Sequence, residues 1–223
     1  MEWIDPKPGD QIVDAGCGTG KLVKLLADKV GPSGSIVGFD PDQERINVAQ
    51  ERVKDDPHAQ FHVCSSQNFP WQEVHNCNHV VSNFVTQWMP HEEKVTFLSN
   101  VHKVLRPGGL FASTQPCRLC SNIESVASAC GFNYKDWFTL DGKDWFQQKL
   151  VDAGFEVVKC DLELSLHKVG AEADYLRWMN ATFGSFGFDF LKELDNLTFD
   201  WVRCEDGTVA YENQHLMFLA MKK

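Results

Sequence analysis

Short apolar runs alternate along the first part of the chain with segments in which apolar residues recur three or four positions apart, which is the pattern of strands alternating with amphipathic helices. Gln11 to Ala15 reads as a first strand, introduced by the turn Pro6-Lys7-Pro8-Gly9-Asp10. Leu22, Leu25, Leu26 and Val30 then supply the inward face of a helix beginning at Lys21, and Gly31-Pro32-Ser33-Gly34 stops it. Ser35 to Phe39 is a second strand ending at Asp40, after which Pro41 opens a helix with Ile46, Ala49 and Val53 inward. A third strand spans Gln60 to Cys64 and a fourth His79 to Ser82. Pro90 opens a helix with Leu98, Val101 and Leu105 inward, Arg106-Pro107-Gly108-Gly109 ends it, and Leu110 to Thr114 is the fifth strand. Alternation of this kind predicts an α/β fold, a mainly parallel sheet covered by helices on both faces.

Beyond Thr114 the pattern loosens into an aromatic segment with Phe132, Tyr134, Trp137, Phe138, Trp145 and Phe146. A helix ends at Leu150 to Phe155, with Gly154 in its terminal turn, and a strand runs from Glu156 to Leu164. Val169 to Leu197 reads as one or two helices and Asn213 to Met221 as a last strand. No repeat or linker interrupts the chain, so residues 1–223 are expected to form a single domain, with 115–150 and 169–200 as lid or substrate-side segments within it.

Composition narrows the partners. With 31 acidic against 21 basic residues the net charge is -10, which argues against nucleic acid. No run reaches the roughly 18 apolar residues of a membrane span, and Met1-Glu2-Trp3-Ile4-Asp5 lacks the parts of a signal peptide. The expectation is a soluble cytoplasmic protein, monomer or homodimer, acting on a small molecule. The eight cysteines are irregularly spaced and are expected to be reduced thiols. Cys117-Arg118-Leu119-Cys120 is a lone C-x-x-C, too little for zinc, and no metal is expected. Asn180 and Asn196 begin glycosylation sequons of a kind frequent by chance, and they are given no weight.

The stretch from Ile12 to Gly20 carries the chemistry. An apolar run reaches Asp14, and Gly16, Gly18 and Gly20 follow at alternate positions before a helix. Such glycines let a ligand approach the backbone closely, beside the unpaired N–H donors of a helix start. In open α/β sheets ligands bind beyond the carboxyl ends of the strands, where Asp40, Ser65 to Asn68 and Ser82 to Trp88 also fall. Asp40 is placed to accept both hydroxyls of a ribose; as a helix cap it would instead form an N-cap with Pro41 at the first helical position. Cys17 reads as a packing residue of the loop. A dinucleotide site would show G-x-G-x-x-G, whereas here Lys21 stands at the third glycine and Asp14 would sit beside a pyrophosphate. An acid there favours a cationic group, and thus a nucleoside bearing an amino acid. A nicotinamide oxidoreductase is the distant alternative.

Val13-Asp14-Ala15-Gly16-Cys17-Gly18-Thr19-Gly20, Val37-Gly38-Phe39-Asp40, Val80-Val81-Ser82-Asn83 and Leu105-Arg106-Pro107-Gly108-Gly109-Leu110 together resemble class I S-adenosylmethionine-dependent methyltransferases over about residues 8 to 165. The resemblance implies a Rossmann-like seven-stranded sheet in the order 3-2-1-4-5-7-6, with strand seven antiparallel and a helical insertion before it. It implies S-adenosylmethionine as cofactor and S-adenosylhomocysteine as product. By position, Asp14 and the loop Gly16, Cys17, Gly18 and Gly20 would face the methionine part, and Asp40 with Pro41 the ribose. Ser65, Ser66 and Gln67 would border the adenine, and Ser82 with Asn83 the amino group. Many relatives have Asp where Ser65 stands, which leaves adenine to the backbone or Gln67.

Ser82-Asn83-Phe84-Val85-Thr86-Gln87-Trp88-Met89-Pro90 and Asp174 to Thr182 are similar to the juvenile hormone acid and trans-aconitate methyltransferases. That likeness makes Trp88 and Gln87 the expected catalytic-side residues, the indole N–H holding a substrate carboxylate; Trp88 buried beneath the lid is the other reading. Relatives of the first kind bring a glutamine from a helix ahead of the glycine loop, so either the chain is truncated or another element closes the site. A carboxylate acceptor needs no general base, whereas a hydroxyl or amine would need one such as His79 or His91. A thiol-bound acceptor such as arsenite, with Cys117, Cys120, Cys130 and Cys160, is an alternative. So is a non-catalytic protein that keeps the fold.

Overall fold

The computed structural model describes residues 3–117, 133, 139–171, 173, 174, 177 and 202–223. In chain order the strands are β1 (Gln11–Ala15), β2 (Ser35–Asp40), β3 (Ala59–Val63), β4 (Cys77–Asn83), β5 (Leu105–Pro116), β6 (Phe155–Gly170), β7 (Val202–Arg203) and β8 (Val209–Lys222). The helices are α1 (Lys21–Val30), α2 (Gln43–Arg52), α3 (His91–Val104) and α4 (Lys143–Asp152). The sheet order is β3-β2-β1-β4-β5-β8-β6, with β7 paired to β8. β1 to β5 are parallel. Lys222 Nζ donates to the carbonyl of Leu105 at the start of β5, and the Phe111 and Phe218 rings meet further along, so β8 runs antiparallel to β5. The order implied by the resemblance holds, β8 taking the place of its strand seven.

Two compact units make up the chain: residues 1–115, 141–161 and 216–223 in one, 116–140 and 162–215 in the other. In the first unit the two sheet faces are packed differently. Ile12, Ile36, Val81 and Ala112 meet Val23, Leu26, Val30 and Ile46 of α1 and α2 in an aliphatic cluster. On the opposite face aromatic rings touch in series, Phe39 with Phe69, Phe69 with Trp71, Trp71 with Phe97, Phe97 with Phe111 and Phe111 with Phe218, at centroid separations of 4.4–5.9 Å. Alternation along each parallel strand sends neighbouring residues to these two layers. Within the second unit, β7 and β8 form a hairpin through Cys204–Thr208, where Cys204 N donates to the Thr208 carbonyl and Gly207 takes φ 78°. No helix among the described residues is long and apolar enough to cross a membrane.

Several local expectations are corrected. Leu25 is 64% exposed; Val23, Leu26, Ala27 and Val30 form the buried face of α1. Arg106-Pro107-Gly108-Gly109 is not a helix-ending turn but part of β5, which follows α3 directly. Its extra residues form a bulge: Cys77 pairs with Leu105 but His79 with Leu110, and Gly108 adopts φ 73°. β6 and β8 are longer than predicted, and the β7 hairpin was not anticipated. Phe132, Tyr134, Trp137 and Phe138, Cys120 and Cys130, Asn180 and Asn196, and most of the insertion from Val169 to Leu197 lie outside the described residues.

Leu26→Ala is expected to lower stability by about 2–5 kcal/mol, which for a chain of this size lowers Tm by about 5–15 °C, whereas Leu25→Ala should stay within about 0.5 kcal/mol. Thermal denaturation followed by circular dichroism measures both; equal effects would reject this assignment of the α1 face.

Candidate cofactor site at the carboxyl edge of the sheet

β1 ends in a loop tied to the neighbouring strand. The amides of Gly16 and Cys17 both donate to the Phe39 carbonyl, at 2.8 and 2.9 Å, and Gly20 N donates back to the Cys17 carbonyl at 3.0 Å. Gly16, Gly18 and Gly20 all have positive φ, yet their surroundings differ. A Cβ on Gly16 would lie 2.2 Å from Val85 Cγ2 and one on Gly20 2.9 Å from Ala49 Cβ, while one on Gly18 would meet nothing within 4 Å among the described residues. Packing therefore accounts for Gly16 and Gly20, and Gly18 presents backbone to open space, where a ligand can approach. Cys17 is buried against Gly38; burial above all, with the nearby Asp14 and Asp40 charges, pushes its thiol far up, so it packs and does not react.

The two acids of the site are held differently. Asp40 Oδ2 accepts from Gly18 N and Oδ1 from Asp42 N, both at 3.0 Å. It is not the helix cap: Asp42 is, its Oδ1 accepting from Glu44 N at 2.8 Å and Arg45 N at 3.1 Å, and Pro41 lies ahead of the helix, exposed. A carboxylate offers about four acceptor positions, so Asp40 keeps capacity for a diol after these two bonds. Asp14 is 1% exposed and its Oδ2 has no partner among the described residues. Burial, reinforced by the Asp40 charge, raises its carboxyl to about 7. A cation placed beside it would meet an unsatisfied acceptor.

After β3, the Ser65 carbonyl accepts from Asn68 N and Phe69 N, and Ser66 is buried with Oγ donating to Glu93 Oε1 at 2.6 Å. The Ser66 carbonyl accepts from Trp71 Nε1 at 2.7 Å, and Gln67 is exposed. At the end of β4, Ser82 is buried and Asn83 exposed, and the chain then turns through Phe84 at φ 57°, an unusual conformation for a bulky residue. That turn is pinned from both sides: Phe84 N donates to the Thr114 carbonyl and the Phe84 carbonyl accepts from Gln87 Nε2, each at 2.8 Å. Gln87 is buried, and Trp88 is 40% exposed.

The two candidate bases separate. His79 lies near the start of β4, remote from the carboxyl edge, 3.2 Å from Asp10 Oδ2, with burial outweighing Asp10 and lowering its basicity. His91 opens α3, its Nδ1 3.2 Å from Asp141 Oδ1. Sequence reasoning missed Lys94, which is buried in α3 and pairs with the buried Asp141 beneath the Trp145 and Phe146 rings. A lysine in an amphipathic helix gives no signal of such a partner 47 residues away. Cys117, just past β5, has Sγ 3.3 Å from the Gln214 carbonyl.

Comparison with known proteins agrees with this geometry. A family described as methyltransferase domain matches residues 12–109. An arsenite methyltransferase of Halobacterium salinarum is 34% identical over 107 residues, 47% of this chain and 27% of that protein. A demethylmenaquinone methyltransferase of a Geobacillus species is 24% identical over 198 residues, 79% of this chain and 82% of that protein. The chain spans about a quarter to a third of the length of the first curated relatives it matches (27%, 33% and 23%). Among solved structures, a Haemonchus contortus phosphoethanolamine N-methyltransferase in complex with S-adenosylhomocysteine superposes with a TM-score of 0.61 at 16% identity, covering 99% of this chain and 50% of that one.

Two outcomes follow from the loop and its acid. Gly16→Ala should cost about 2–4 kcal/mol, from the left-handed backbone and the Val85 clash together, and Gly18→Ala only about 1–2 kcal/mol, both read from denaturant midpoints. Asp14 titrates near 7 folded against its ordinary value of 3.8 unfolded, so the folded state holds a proton the unfolded state has lost. Its contribution to stability therefore declines as pH rises from about 4 to about 7 and is flat above. Asp14→Asn should remove that slope and be more stable than the parent at about pH 8; an unchanged slope between about pH 5 and pH 8 would show that Asp14 ionises normally.

Proposed function

We propose that this chain is a class I S-adenosylmethionine-dependent methyltransferase, a reading supported by the matched domain and the fold, and that it transfers a methyl group to a small, partly apolar molecule at a carboxylate oxygen. The observation that carries the cofactor reading is the buried Asp14 oxygen at the glycine loop, without a partner among the described residues, where Gly18 leaves the backbone open to them. Asp14 and Gly16 to Gly20 would hold the methionine part, its ammonium answering the Asp14 charge, and Asp40 the ribose hydroxyls. Ser65 and Gln67 would border the adenine, and the backbone of Ser66 the same edge, since its hydroxyl is engaged by Glu93. The Ser82 carbonyl would receive the amino group, with Asn83 beside it.

When bound, S-adenosylmethionine supplies a methyl group on a positively charged sulfur. The chain's part is placement and exclusion of water. A carboxylate is already a nucleophile, so no residue need take a proton, in keeping with His79 lying far from the edge. Gln87 fixes the turn that presents Trp88, whose indole N–H would hold the acceptor carboxylate as in the juvenile hormone acid and trans-aconitate enzymes.

A second acceptor, thiol-bound arsenite, is favoured by Cys117 just beyond the carboxyl end of β5 and by the name of the halobacterial relative. Titration calorimetry with S-adenosylhomocysteine should give micromolar binding that Asp40→Ala weakens at least about tenfold, equivalent to about 1.4 kcal/mol. No heat from the parent would reject the cofactor. In a cofactor-consumption assay over organic acids, phenols, amines and arsenite, Trp88→Phe should lose turnover of the acid while still binding S-adenosylhomocysteine. Undiminished turnover would remove the donor role, and loss of arsenite turnover in Cys117→Ser would favour the second acceptor.

A further inference from the structure

We propose that Glu93 of α3 is a positioning residue for the cofactor: by accepting from the Ser66 hydroxyl it holds the loop after β3 in the shape that receives the adenine. This rests on the S-adenosylmethionine reading above and names what keeps one border of that site in place. Ser66 is clamped twice. Its Oγ donates to Glu93 Oε1 at 2.6 Å, and its carbonyl accepts from Trp71 Nε1 at 2.7 Å. What Ser66 and the exposed Gln67 leave over are their amides, neither of which has a hydrogen-bond partner among the described residues. Backbone N–H groups of this kind are donors that a purine ring nitrogen can accept from. Their directions are set by two peptide planes. The Gln67 N–H shares its plane with the Ser66 carbonyl, held by Trp71, and the Ser66 N–H shares its plane with the Ser65 carbonyl, held by the amides of Asn68 and Phe69. Glu93 fixes the side chain that stands between the two planes.

The helix presents Glu93 in a fixed setting. Glu93 and Phe97 stand one turn apart on α3, and the Phe97 ring meets that of Trp71 at 5.8 Å, so one face of the helix grips the loop at Ser66 and at Trp71. Lys94, the next residue, is buried against Asp141, which fixes the rotation of α3 about its own axis. The two grips differ in kind. Phe69 and Trp71 are buried among Phe39 and Phe97 and stay in the core whatever stands at position 93. Glu93 acts on Ser66 alone, through a hydroxyl-to-carboxylate bond in the range of the strong, charge-assisted kind. Ser66 is 5% exposed, so its hydroxyl without Glu93 has no other acceptor among the described residues and reaches one only by moving the loop toward water. The loss therefore falls on the shape of the loop and far less on the core beneath it.

Titration calorimetry of the full chain with S-adenosylhomocysteine tests the proposal. Glu93→Ala is expected to raise Kd at least about tenfold, Ser66→Ala to do the same, and the double variant to go no further than either, because all three remove one bond. Glu93→Gln keeps an oxygen that accepts from Ser66 and should stay within about threefold of the parent. In the ligand-free protein, the Asn68 and Phe69 amides should exchange hydrogen at least about tenfold faster in Glu93→Ala, with Val101 of α3 unchanged, a pattern that general destabilisation does not produce. No heat from the parent rejects the cofactor reading and this proposal with it. Binding by the parent that Glu93→Ala leaves unchanged, additive losses in the double variant, or a Glu93→Gln as weak as Glu93→Ala overturns this proposal alone. Should Glu93→Ala fail to fold, Ser66→Ala decides, since it removes the same bond and leaves a half-buried carboxylate that water can reach; an unchanged Kd overturns the proposal.

Discussion

The carboxyl edge of this sheet depends on how the glycine loop is fastened to the end of β2. Three amides of the loop, those of Gly16, Cys17 and Gly18, are received by Phe39 and Asp40. Parallel pairing makes this possible, because Ala15 and Phe39 stand in register and both strands therefore finish at the same edge. The fastening turns Gly16 toward Val85 and Gly20 toward Ala49 and leaves Gly18 facing outward beside Asp40. A loop held at its neighbours and open at its centre is suited to close approach by a ligand, and the acid that closes it, Asp40, keeps acceptor positions unused by its two amides.

Buried charges in the first unit are handled in two ways. Lys94 and Asp141 satisfy one another inside an apolar surround, with His91 as a second partner of the acid. Asp14 has no such partner for Oδ2 among the described residues, and its raised carboxyl expresses the cost of that position. Buried ionisable groups are tolerated when paired and expensive when not. An unpaired acid retained at the ligand edge is the arrangement in which a cationic ligand supplies the missing partner, so the stability lost without ligand becomes affinity with it. The turn at Phe84 belongs to the same economy: an unfavourable backbone conformation is held by Thr114 and Gln87 where the chain leaves the sheet toward Trp88.

Reading the sequence located β1 to β4 and α1 to α3, because each strand is an apolar run bounded by glycine, proline or a polar cluster; the sheet order came from the family resemblance. It went astray where two local signals competed. Of the two readings of Asp40, the cap alternative fails: Asp42 caps the helix, and Asp40 is engaged by the Gly18 amide from another part of the chain. Arg106 to Gly109 carries every mark of a helix stop, yet β4 draws it into a bulge. Leu25 fits a helical stripe as well as Val23 does; the sheet chose Val23. The β7 hairpin carried a usable signal, Asp206-Gly207, next to a segment that read as helix.

Local sequence by itself determined the strand–loop–helix succession, the three glycines and the identity of the acids, since periodicity and backbone conformation are properties of neighbouring residues. Tertiary structure alone decided what those residues do. It separated the glycines required by packing from the one left open, gave Asp40 its amides and denied Asp14 a partner, removed His79 from the edge and matched Lys94 with Asp141. Each of these is a contact between positions distant along the chain, and such contacts exist only once the strands have been set side by side.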